Sequence, residues 1–195
     1  MPGNDRGACR ESPIQADLVG PSVGAMTTPS RSSSNAPAHG KHTDHGRPHA
    51  FSSLTPFIAV QEVTQAMAFY EDVLGARQLH ATEIDGVVVH AELQLSCGRL
   101  QLGQPQPAYH LSDQPDGDEV CFSLGVYVPD VDDAVARAVA GGAHLREEVV
   151  TFVSGDRFAS IRDPFGVRWS VMTRVEDLSP EDSARRVAAW AADQG

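Results

Sequence analysis

Apolar and polar positions change period along this chain in an order that then repeats. Residues 54–60, LTPFIAV, alternate as a strand does, with Thr55 and Phe57 on one face and Ile58 and Val60 on the other. From Val63 the period lengthens: Val63, Ala66, Met67, Tyr70 and Leu74 recur at helical spacing, and Gly75 stands where a helix ends. Three strands follow at 77–83, 87–95 and 99–103, separated by Asp85-Gly86 and Cys97-Gly98. After a loop at 104–118 without periodicity, the same order recurs. Residues 121–128 read as a strand and 131–140 as a helix with Val131, Ala134, Val135, Ala138 and Val139 inward. A strand at 144–150 and a hairpin, 157–162 and 167–173, close the series. The hairpin turns on Asp163-Pro164-Phe165-Gly166, which puts Pro where φ is near −65° and Gly where it can turn positive.

The repeat is visible in the letters. FIAVQEVTQAMAFYEDVLGARQL and LGVYVPDVDDAVARAVAGGAHL align from Val60 on Val128. Two tandem βαβββ modules, an α+β fold, are therefore expected. A last helix starts after Ser179, with Pro180 at its first position and Asp182 two residues later. Residues 1–50 are rich in Ser, Pro, Gly and His and read as a disordered tail. Within it His39, His42, His45 and His49 suggest either a polar linker or weak transition-metal binding. The chain divides into this tail, a domain at 51–178 with modules at about 53–104 and 119–175, and a C-terminal helix at 179–195.

Composition narrows the function classes. The hydrophobic fraction of 41% and the charged fraction of 21% are ordinary globular values. The formal charge of −11 sits wholly after residue 50, because the five basic groups before it outnumber the four acidic ones. Such a domain repels phosphate backbones, so nucleic acid is not an expected partner. No apolar run reaches the roughly 20 residues of a membrane span, and no membrane partner is expected. Cys9, Cys97 and Cys121 form an odd set without metal spacing, which favours a reducing cytoplasm.

Paired βαβββ modules with a DPFG hairpin resemble the vicinal oxygen chelate superfamily. That group includes glyoxalase I, extradiol dioxygenases, fosfomycin resistance enzymes and bleomycin-binding resistance proteins. The segments AFYEDVLGA, HAEL, GDRF, DPFGVRWS and VEDLSPED are similar to its PhnB-like branch, and the likeness covers about residues 53–185. It implies that each module curls its sheet into a half-barrel, so that the mixed sheets surround a cavity. In the metal enzymes of the group, one ligand stands on the first strand and one on the last strand of each module. Those places fall here on Thr55, Gln101, Ser123 and Ser170. Hydroxyls and an amide are poor ligands for Zn, Ni, Fe or Mn. No cofactor is assigned on this basis, which leaves a divalent metal only at a relocated place.

Alternation supports the same cavity face. His90 and Glu92 stand two apart on one strand, and a His beside a carboxylate can serve as a general base or a metal ligand. They are the catalytic candidates, against the plainer reading of a solvated polar stripe. Phe57 and Tyr127 share the cavity face with Thr55, Gln101, Ser123 and Ser170, whereas Trp169 belongs to the core. Arg157 and Arg168 can hold an anionic ligand bidentately or pair with Glu92, Glu147 or Glu148. Cys121 reads as a small buried hydrophobe. The function expected is small-molecule binding by a protein lacking the usual metal site. The alternative is a divalent-metal lyase, isomerase, transferase or dioxygenase acting on vicinal oxygens. Members of the group are commonly dimers, which implies a homodimer here.

Overall fold

The computed structural model describes residues 36–96 and 98–195. Cys9, Cys97 and most of the N-terminal tail lie outside the described residues. The chain divides into two compact units, one ending at Thr55 and one running from Pro56 to Gly195.

In the first unit, the end of the stretch read as disordered holds a small hairpin, β1 (Thr43–Asp44) and β2 (Arg47–Pro48). Its turn is His45-Gly46, with φ of 46° and 84°. Positive φ at both central residues is what a two-residue hairpin turn requires, and composition alone conceals it.

The second unit contains both modules. The first has β3 (Phe57–Ala59), α1 (Val63–Leu74), β4 (Arg77–Ile84), β5 (Val87–Gln94) and β6 (Arg99–Gly103). The second has β7 (Leu124–Tyr127), α2 (Val131–Ala140), β8 (His144–Thr151), β9 (Asp156–Arg162) and β10 (Arg168–Arg174). Each forms its own four-stranded mixed sheet, in the orders β3-β6-β5-β4 and β7-β10-β9-β8. The first strand of each module runs parallel to the last, and the other pairs are antiparallel. The repeat in the sequence is thus a repeat in topology.

The helices cover the aliphatic faces. α1 buries Val63, Ala66, Met67, Tyr70, Val73 and Leu74, and ends at Gly75, whose φ of 65° a residue with a side chain adopts at a cost. α2 is capped by the Asp130 carboxylate, which accepts from the Asp133 amide at 3.1 Å, and buries Val131, Ala134, Val135 and Ala138. Val139, expected inward, is 47% exposed. It lies about 80° round the helix from Val131, past the edge of the apolar stripe. Beneath the helices lie Leu93, Leu100 and Leu102 of the first sheet and Ile161, Trp169 and Val171 of the second. They form one core with both helices.

Asp163 ties the modules together. Its residue is 2% exposed. One carboxylate oxygen accepts from the Tyr70 hydroxyl of α1 at 2.6 Å and from Trp169 Nε1 at 2.9 Å. The other accepts the Phe165 and Val167 amides, both at 2.9 Å. Burial pushes the Asp163 carboxyl up from its ordinary value, against these hydrogen bonds, which pull it down. Burial and the neighbouring Asp163 charge push the Tyr70 hydroxyl well up.

After the second module, α3 (Pro180–Ala192) begins at Ser179, whose hydroxyl accepts from the Asp182 amide at 3.0 Å. No helix among the described residues is long and apolar enough to cross a membrane.

Candidate functional site

With the aliphatic faces covered, each sheet presents a polar face. On the first, strand pairing sets Phe57 opposite Gln101, Glu92 opposite Gln101, and His90 opposite Gly103. The Phe57 ring stacks on His90 at 5.9 Å between centroids. It lies over Gly103, where a Cβ would come within 2.5 Å of Phe57 Cζ. The close approach explains why this strand ends in glycine. Glu92 is engaged at both oxygens: Arg99 Nη1 donates at 2.9 Å and Gln101 Nε2 at 3.0 Å. The Arg99 and Glu92 side chains are only 14% and 19% exposed, so the pair is a partly buried structural element. His90 and Glu92 do share a face, as alternation implies, and Glu92 is committed to Arg99 and Gln101. Thr55 lies in the first unit, ahead of β3.

On the second sheet, the hairpin register sets Ser170 opposite Ser160, and β7 runs beside Ser170 on its other side. Ser123 and Ser170 hydroxyls are 3.1 Å apart. Arg168 donates through Nε to the Ser160 hydroxyl at 2.9 Å and through Nη2 to Glu147 Oε1 at 2.7 Å. Two of its three nitrogens are used in this way. These residues, with Cys121 and Phe122, line an open concavity of about 300 Å³. Beyond Ser170 along the strands, Tyr127 donates its hydroxyl to Asp156 Oδ1 at 3.2 Å, and Arg174 Nε pairs with the same oxygen at 2.9 Å. The Tyr127 residue is still 51% exposed.

Several expectations are sharpened or corrected. Arg157 pairs bidentately with Asp132 of α2, both contacts at 2.6 Å, and so serves structure. That pairing holds the Asp132 carboxyl below its ordinary value. Cys121 is an exposed free thiol, since regular pairing of β7 begins only at Leu124 and alternation does not govern the residues before it. Ser160 was missed by the sequence reading. Counting two residues back from Arg162 and two on from Arg168, its hairpin partner, places it beside Ser170.

Of the places where the resemblance implies metal ligands, Gln101, Ser123 and Ser170 of the second unit do not fit a divalent ion. The Ser123 and Ser170 hydroxyls hydrogen-bond to each other, and the Gln101 amide presents its N–H to Glu92. A neutral set of this kind offers no charge to offset stripping water from a dication.

Two βαβββ modules, each with a helix over its aliphatic face and a polar face opposite, define the fold class. The chain belongs to the Glyoxalase/Bleomycin resistance protein/Dioxygenase superfamily, whose family model matches residues 48–171. Members of this family bind small molecules. An uncharacterised protein of Mycobacterium tuberculosis is 28% identical over 151 residues, spanning 74% of this chain and 88% of the relative. Among solved structures, the manganese(II)- and sulfate-bound fosfomycin resistance protein FosX of Listeria monocytogenes superposes with a TM-score of 0.53 at 11% identity. That match covers 70% of this chain and 97% of FosX. The PhnB protein of Bacillus cereus does so with a TM-score of 0.50 at 16% identity, covering 63% of this chain and 99% of that one. At these identities the two structures share its fold.

Proposed function

We propose that this protein binds a small polar organic molecule on the polar face of its second module, without a divalent metal. The observation that carries this reading is the Arg168 guanidinium, held between Ser160 and Glu147 beside the Ser123–Ser170 hydroxyl pair. Placed hydroxyls with one oriented guanidinium, next to exposed Phe122, form the mix of apolar wall and few polar groups that ligand sites use, whereas Tyr127 lies outside this lining. Glu147 balances Arg168, and the acidic chain disfavours anions, so a neutral or cationic ligand with hydroxyl or carbonyl groups fits best. The concavity stands at the small end of ligand-site volumes, about 300 Å³ or more, and is open to solvent. A second copy covering it in a homodimer is therefore part of this reading. The exposed thiol of Cys121 suits a reducing cytoplasm.

The metal-enzyme alternative, with His90 and Glu92 as its residues, would use a carboxylate whose charge is already offset by Arg99 and which also accepts from Gln101. The test is a thermal-shift screen of the full chain in chelator. The panel holds small neutral and cationic compounds, aromatic and polyhydroxylated. The expected result is a compound that raises Tm, is recovered unchanged, and binds at least about tenfold more weakly to Arg168→Ala, a difference of about 1.4 kcal/mol. Metal-dependent turnover abolished by His90→Ala would establish the alternative.

A further inference from the structure

The hairpin of the first unit gathers three donor groups that the candidate site does not use. Among the described residues, His39, Asp44 and His45 are the one group of three or more His, Cys, Asp or Glu with ligand atoms all within 4.8 Å of one another. We propose that this hairpin binds one divalent transition-metal ion of the zinc, copper or nickel kind, through His39 Nδ1, Asp44 Oδ1 and His45 Nε2.

The backbone brings these groups together. His45 stands at the hairpin tip, where φ is positive. The Gly46 amide donates to the Ala38 carbonyl at 2.7 Å and the Gly40 amide to the Thr43 carbonyl at 2.9 Å. These two bonds bracket His39 and hold it against the turn, so its ring lies 4.5 Å from that of His45. The Asp44 carboxylate oxygen is 3.5 Å from His39 Nδ1 and 3.8 Å from His45 Nε2. Ligand atoms at about 2.0–2.2 Å from a tetrahedral ion stand about 3.4 Å apart. Closing round an ion therefore requires shifts on the order of an ångström, within reach of exposed side chains.

The chemistry suits the ion. His39 Nδ1 accepts a long hydrogen bond, 3.4 Å, from the His45 amide, and an ion bound at this nitrogen takes the place of that weak contact. Arg47 reaches the other Asp44 oxygen at 3.3 Å while its Nη1 holds the Phe51 carbonyl at 2.6 Å. It orients the carboxylate and leaves Oδ1 to the metal. Two imidazoles and one carboxylate suit zinc, copper and nickel, whereas magnesium and calcium prefer oxygen donors. Water completes the coordination at this exposed place.

The geometry makes a distinction that the run of histidines does not. His42 and His49 stand outside the trio. The test is zinc titration of the full chain against a chromogenic chelator, with magnesium as the control ion. The expected result is one zinc per chain. Binding weakens at least tenfold in His39→Ala and in His45→Asn, the latter keeping a residue that tolerates the turn's positive φ. It changes less than twofold in His42→Ala and His49→Ala. Equal losses on removing any of the four histidines, or no saturable zinc uptake above magnesium, would overturn the proposal. Copper(II) loading gives a second readout, since two imidazole nitrogens should appear in its electron paramagnetic resonance spectrum. One nitrogen or none would count against the site.

Discussion

The two modules follow the same order of elements and bury the same kind of aliphatic face, yet their polar faces differ. In the first, Glu92 is locked by Arg99 and Gln101, and Phe57 lies over Gly103 against His90. In the second, short hydroxyls and a braced Arg168 surround an open concavity. The aliphatic face is constrained by the helix that covers it. The polar face is constrained only by its own neighbours, so one scaffold can close that face with side chains in one copy and leave it open in the other.

The largest expected effect comes from breaking what joins the copies. Asp163→Ala removes the acceptor for Tyr70, Trp169 and two backbone amides, all buried or partly buried. Stranded donors cost about 1–3 kcal/mol each when no water replaces the partner. A loss of at least about 3 kcal/mol in urea unfolding is expected. A loss below about 1 kcal/mol would mean that Asp163 is not what joins the modules.

A smaller effect compares the faces directly. In Gly103→Ala the new methyl displaces Phe57 from its place over the strand, at a cost of about 1–2 kcal/mol, and frees the His90 ring. In Gly125→Ala of the second sheet, the new methyl meets only the flexible end of Met172 at 3.3 Å, so the change should stay within about 0.5 kcal/mol. Equal costs at the two positions would remove the contrast between a filled face and an open one.

The smallest is a pH effect. Burial raises the Asp163 carboxyl above its unfolded value, so the native state holds that proton more tightly. Its contribution to stability is therefore fully present below the ordinary aspartate value and falls as pH rises through the raised one. Asp163→Asn should flatten that slope in melts taken across the acid range. A slope that persists unchanged would assign it to other carboxylates.

Most of the fold was legible because period and punctuation agreed. Both helices of the modules have the expected bounds, and the turn at Asp163 to Gly166 stands as read. Strand pairing was less legible. Ser160 becomes a neighbour of Ser170 only once the hairpin register is known, and Cys121 escapes alternation because it precedes the paired part of its strand. The commitments of charged groups were hidden as well. Alternation places Glu92 beside His90, but which cation claims it depends on the register of β5 with β6. The hairpin at His45 was masked by composition, since its signal is positive φ at a non-glycine residue.

The most direct test of metal-free binding by the second module is ligand affinity, measured with and without chelator. It is made in a His45→Asn background, so that metal at the N-terminal hairpin does not contribute. The account predicts an affinity unchanged by chelator and by His90→Ala and at least tenfold weaker in Arg168→Ala, about 1.4 kcal/mol. Binding that requires a divalent ion and is lost in His90→Ala, with Arg168→Ala silent, would contradict it.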